Sequence, residues 1–174
     1  MAVPFKQYPA AYESFLYEFH ATRDYFECHE LLEEYWKEHP GDPLGPTWVG
    51  LIQLAVGSYH HRRKNYRGAL KMMRHCRQRL TSERLRELGL EGAALLALAE
   101  ERIAALERME PFEDIDLPFA DQELLARVMQ TAEKEGQRWG ASSSMDDQLI
   151  NRHTLRDRSG VIAAREAAAK AKKR

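Results

Sequence analysis

His29 and Glu33 stand four residues apart in YFECHELLEEYW (residues 25–36), a stretch that also holds Cys28, Glu27, Glu30 and Glu34. Three chemistries draw on such groups. A histidine poised by a carboxylate can carry a proton in general acid–base catalysis. Histidines and carboxylates on facing helices can ligate a metal ion. Turned inward, the same groups can satisfy one another and fix the register of a helix pair, because each unsatisfied buried polar group costs about 1–3 kcal/mol. Spacing narrows the first two. His29-Glu30-Leu31-Leu32-Glu33 lacks the second histidine of the zinc-protease motif, and the chain has no Glu-x-x-His spacing. No nucleophile or phosphate loop accompanies the pair. Cys28 reads as a small buried hydrophobe rather than a nucleophile.

Elements must bring these groups together. Asp24 is an N-cap, and Glu27 three residues on could complete a capping box. The helix it opens has an apolar face of Tyr25, Cys28, His29, Leu32, Tyr35 and Trp36, and the Pro/Gly cluster at residues 40–46 ends it. A third helix starts at Pro46 and Thr47, with Val49, Ile52, Gln53, Val56, Tyr59 and His60 along one face. If these two helices pair antiparallel about a turn near Asp42–Pro43, residues whose numbers sum to about 86 lie level, from the uniform rise per residue. His29 then lies level with Gly57, Glu33 with Gln53, and Phe26 with His60, so four polar side chains converge. Gly57 would leave a gap beside His29 for a water or small ligand. The candidate ligand or structural set is therefore His29, Glu30, Glu33, Gln53 and His60, and a metal would take His29, Glu33 and His60.

The rest of the chain is helical by period and capping. Pro9 can open a first helix with Tyr12, Phe15, Leu16 and Phe19 in register. Asn65 caps a fourth, Ser82–Leu88 is short and stopped by Gly89, a long helix covers roughly Gly92–Met109, and Asp121 caps another to about Lys134. Pro111–Pro118 (PFEDIDLP) is an extended connector, since residues before proline avoid helix. A faint repeat at an offset of 41 aligns Asp24-Tyr25 with Asn65-Tyr66 and gives two stacked αα-hairpins, like those of tetratricopeptide arrays. His60-His61-Arg62-Arg63-Lys64 reads as a basic helix end, favoured by the dipole.

The expected fold is all-α: a compact bundle over residues 1–135, a linker at 136–145 (GQRWGASSSM) and a basic tail at 146–174 that is helical where it docks. The tail carries eight Lys/Arg against two acids over Asn151–Arg174 and could touch nucleic acid through phosphates. The whole chain of 174 residues has net charge −1 and is no polyelectrolyte. No apolar run approaches a bilayer span. MAVPFKQYPA lacks a signal-peptide pattern, and two cysteines make no disulfide framework, so a cytoplasmic protein without a membrane role is expected.

YFECHELLEEYW followed by WVGLIQLAVGSYHHRRKNYRGALKMM resembles the domain of unknown function 309 family of bacteria and archaea. The matching pieces are Tyr25-Phe26-Glu27, His29-Glu30, Leu32-Glu33, Trp36, Gly50-Leu51-Ile52-Gln53, Tyr59-His60, Asn65 and Gly68-Ala69, with Ile115–Pro118 resembling the end of the domain. The resemblance covers roughly residues 10–120 and implies a helical bundle without an assigned activity. The expected role is a non-enzymatic scaffold or interaction domain with a protein partner and no cofactor. The alternatives are a small-ligand- or divalent-metal-binding protein, or a hydrolase-like enzyme, built on His29, Glu33, Gln53 and His60.

Overall fold

The computed structural model describes residues 6–144 and 146–151. Helix α1 (Ala10–Tyr17) buries Tyr12, Phe15 and Leu16 and runs into a π-helical turn, Glu18–Thr22. Arg23 then breaks the helix in the left-handed region, at φ 57°. Asp24 caps α2 (Tyr25–Glu38), accepting the Glu27 N–H at 3.1 Å. The Asp24 N–H goes to Thr22 Oγ1 at 3.2 Å, so the turn before the helix takes up the donor that a capping box would engage.

Helix α3 (Gly45–Arg62) starts with Pro46 in its first turn, and Trp48 anchors the preceding loop by donating to Asp42 at 2.9 Å. The short turn Arg63–Asn65 folds α4 (Tyr66–Arg79) back along α3, with Asn65 capping the Gly68 N–H at 3.1 Å. Helices α5 (Ser82–Glu87), α6 (Gly92–Glu107), α7 (Gln122–Lys134) and the single turn α8 (Asp147–Ile150) follow. In space α1 packs on α2, α2 on α3, α3 on α4 and α4 on α6, while α7 closes on α1. The pairs α1/α2 and α3/α4 are two stacked hairpins, and no strand occurs among the described residues.

Helices α3 and α4 approach closely at two glycines. A Cβ on Gly50 would lie 2.6 Å from Leu80 Cδ2, and one on Gly57 would lie 2.9 Å from Met73 Sδ. Gly57 therefore faces α4 and is filled by Met73. The bare face of Gly57 is thus used for helix packing, and the concavity beside His29 is lined by Phe26, Val56, Tyr59 and His60 instead.

The connector PFEDIDLP is extended and carries core residues: Ile115 and Leu117 are buried against the π turn. Gly89, at φ 76°, lets its carbonyl accept from both Ala120 and Asp121, which brings the end of the connector back to the start of α6. The small, polar residues after α7 do not hang free of the bundle. Trp139 stacks on His20 with centroids 4.6 Å apart, and Gly140 N–H donates to the His20 carbonyl at 2.9 Å. Leu149 and Ile150 are buried. The basic tail beyond Asn151 lies outside the described residues.

Candidate functional site

The sequence-derived register places His29 and His60 on one groove. Phe26, His29, Val56, Tyr59 and His60 line a mainly apolar concavity of about 160 Å³ with Tyr25 at its floor, between α2 and α3. Phe26 and Tyr59 rings meet across it at 5.8 Å. The polar convergence is looser than the register implies. His29 Nε2 lies 2.5 Å from Glu33 Oε2, and Lys37 Nζ lies 2.8 Å from the other Glu33 oxygen. The lysine's hydrogen bond, aided by the nearby His29, outweighs partial burial and holds the Glu33 carboxyl below its ordinary range. This is an i, i+4 ladder along the surface of α2; the His29 and Glu33 side chains are 29% and 33% exposed. Gln53 turns to the other side of α3, where its oxygen accepts from Arg79 at 3.2 Å. His60 Nδ1 lies 3.3 Å from Asn65 Nδ2 at the end of its own helix. Glu30 is half-buried on α2.

All five residues are only partly buried. Glu33 is directed along α2 and Gln53 toward the end of α4, while His29 and His60 line one groove. Among the described residues no group of three or more His, Cys, Asp or Glu side chains is placed to hold a metal ion. His29, Glu33 and His60 are not gathered into one coordination sphere. Cys28 and Cys76 are buried, and burial pushes both thiols up, Cys76 to about 12, far from a reactive thiolate. Exposed i, i+4 pairs contribute little. His29→Ala is expected to change unfolding free energy by no more than about 0.5 kcal/mol in urea titration.

The buried polar network lies elsewhere, around Asp114 of the connector. Its carboxylate accepts from Tyr25 OH at 2.6 Å, from Ser143 N–H at 2.7 Å and from the Ser143 hydroxyl, and stands 4.0 Å from Arg23 Nε. Burial raises the Asp114 pKa, but these hydrogen bonds and Arg23 win and hold it below the ordinary carboxylate range. Arg23 spends its donors on Ala141, Phe19 and Ile115 carbonyls and on Asp116 at 2.7 Å. Arg62, at the end of α3, donates to the Arg23 carbonyl at 2.7 Å and to Ser143 Oγ at 3.1 Å, and its guanidinium lies 4.7 Å from the Tyr25 ring centroid. Both arginines are nearly fully buried, at 2% and 4% exposed. Arg62 Nε and Ser58 Oγ, one turn apart, have no hydrogen-bond partner among the described residues.

Two histidines flank this centre. His20 Nδ1 lies 2.8 Å from the Leu16 carbonyl, and its Nε2 lies 2.9 Å from the Leu117 N–H. A carbonyl accepts and an N–H donates, so the ring is the neutral Nδ1–H tautomer. Burial pushes its pKa down to about 4. His61 Nε2 lies 2.8 Å from the Glu110 carbonyl and is likewise depressed by burial. The run at residues 60–64 is therefore not a solvated basic end, since His61 and Arg62 turn into the interior.

Two sequence signals point to this centre. Arg62 continues the buried α3 stripe of Leu51, Leu54, Ala55 and Ser58 at helical spacing. In the extended connector, Ile115 and Leu117 alternate with Asp114 and Asp116, so one set is directed to the core and the other to the arginines. Arg23 has no comparable signal.

A further cleft of about 410 Å³ separates α6 from the connector. Its charges are largely committed: Arg108 pairs with Glu110 at 3.0 Å, Arg102 donates to the Glu113 carbonyl at 2.6 Å, and Asp114 and Asp116 serve Arg23.

Fold and site together define an all-α protein stapled by an internal Arg/Asp network. The family described as a domain of unknown function (DUF309) matches residues 12–72. The uncharacterized protein YpuF of Bacillus subtilis is 44% identical over 162 residues, covering 91% of this chain and 93% of that protein. The chain belongs to the domain of unknown function 309 family. No solved structure matches it significantly. No helix among the described residues is long and apolar enough to cross a membrane.

Proposed function

We propose that this protein is a non-enzymatic helical interaction domain that accepts one apolar anchor side chain of a protein partner in the α2/α3 groove. The supporting observation is the groove's size and lining. At about 160 Å³ it matches the space that holds a single benzene-sized ring, and falls short of the ~300–1,000 Å³ of small-molecule sites. Phe26, Val56 and Tyr59 supply apolar walls, and His29 and His60 supply a polar rim, the arrangement in which an aromatic anchor is buried at the centre of an interface. His20, His61 and Asp114, whose pKa values are displaced, are engaged in hydrogen bonds within the chain away from this groove. The alternative is a small-ligand or metal site at His29, Glu33 and His60. Native mass spectrometry and elemental analysis of the purified full chain separate the two. The interaction reading expects the bare chain mass. A stoichiometric organic adduct or Zn, Fe, Mn or Ni, lost in the His29→Ala/His60→Ala variant, overturns it.

A further inference from the structure

From Pro43 to Ser82 the chain has eight Lys/Arg and no Asp or Glu, although the whole chain sums to −1. Structure sorts these cations. Arg62 is buried in the network, Arg74 and Arg77 pair with Glu107 and Glu100 of α6, and Arg79 donates to Gln53. Lys64, Arg67 and Lys71 are exposed and have no acidic partner among the described residues. Arg67, Lys71, Arg74 and Gln78 follow the i, i+4, i+7, i+11 stripe of the outer face of α4 and wall an open groove with Asn65 and His75.

Local physics disfavours this stripe. Arg67 lies in the first turn of α4, where the helix dipole repels cations. Arg67 and Lys71 are like charges one turn apart. Lys64 holds φ 68°, a conformation that glycine adopts more cheaply. Of the stripe's cations only Arg74 has an acidic partner, Glu107; Arg67 and Lys71 add positive charge without an ion pair among the described residues.

We infer that the outer face of α4 binds the phosphate backbone of duplex DNA, independently of base sequence. A protein partner would require apolar anchors at the centre of the patch. The exposed large hydrophobics, Trp36, Met109 and Met129, all lie off α4. A membrane surface would require an apolar face to insert, and that face of α4 (Ala69, Met73, Cys76) is buried in the bundle. Single strands are held by stacking aromatics; Tyr66, the one aromatic on α4, is half-buried and packs against His61 at 5.5 Å. A stripe of cations with amide donors at Asn65 and Gln78 suits phosphates. A B-form major groove admits a helix face, whereas the A-form groove of RNA is closed to it.

The test is fluorescence anisotropy of a short labelled DNA duplex with the full chain. Expected is weak binding, with Kd about 10⁻⁴–10⁻⁶ M and a log–log salt slope of about −3 for three phosphate contacts. Arg67→Glu/Lys71→Glu, checked for native helicity by circular dichroism, should weaken it at least tenfold. Neutralising the tail by Lys170→Gln, Lys172→Gln, Lys173→Gln and Arg174→Gln should leave most of the binding. No anisotropy change at low salt overturns the inference. So does unchanged affinity in the α4 variant, or equal binding of single-stranded DNA, duplex RNA or polyglutamate.

Discussion

Asp114→Ala is expected to lower the melting temperature by roughly 6–12 °C. Removing this carboxylate leaves the buried Tyr25 hydroxyl and Ser143 without their acceptor and takes a negative charge from beside Arg23 and Arg62, at about 3 kcal/mol. For a chain of this size each kcal/mol shifts the midpoint by about 2–4 °C. Asp114 has an unusually broad role. It accepts from Tyr25 of α2, faces Arg23 behind the π turn, and receives both the amide and hydroxyl of Ser143. Its loss unpins the connector and residues 141–143 at once. Arg62 then keeps the Arg23 carbonyl and the Tyr25 ring but loses the nearby negative charge. Asp114→Asn retains shape and some hydrogen bonds, so roughly half the loss is expected. Differential scanning calorimetry reads both; a midpoint unchanged in Asp114→Ala contradicts the role given to the carboxylate.

The second large effect is acid sensitivity centred on His20. In the unfolded chain the imidazole titrates near 6.5, while in the fold burial lowers it to about 4. Between these values the unfolded chain binds the proton and the folded chain does not. Stability from neutral His20 is therefore complete above pH 6.5 and falls as pH drops toward 4, by about 3 kcal/mol in all. Protonation also has no place in the structure, because Nε2 accepts the Leu117 amide and cannot hold a proton while doing so. His61 adds in the same direction. Asp114, depressed, adds its own loss at lower pH, below the ordinary carboxylate value. Nitrogen-15 NMR of the His20 ring should show the Nδ1–H tautomer persisting at pH 5.5. A ring that titrates near 6.5 in the folded protein contradicts the buried assignment.

Much of the architecture is visible in local sequence, because caps and apolar spacing are local. Asp24, Asn65 and Asp121 cap the helices they precede, and Gly89 turns the chain with positive φ. The antiparallel register of α2 and α3 follows from the rise per residue alone, and it sets His29 and Phe26 against His60 and Tyr59. Side-chain destinations are less visible. Glu33 finds Lys37 on its own helix, and Gln53 finds Arg79 on the next. The network around Asp114 joins residues about ninety positions apart, such as Arg23 with Ile115, and depends on a π turn without a local signature. The docking of Trp139 and Ser143 is equally nonlocal: a run of small polar residues has the composition of a linker, yet its backbone and hydroxyls suit a buried carboxylate and a guanidinium.

The central claim is that the polar groups holding the bundle together surround Asp114, and that the partly exposed His29 cluster adds little to stability. Urea unfolding of wild type, Asp114→Ala and His29→Ala/His60→Ala in one series measures it. The first variant should lose about 3 kcal/mol and the second under about 1 kcal/mol, with unchanged m-values. A larger loss in the histidine pair than in Asp114→Ala would contradict it.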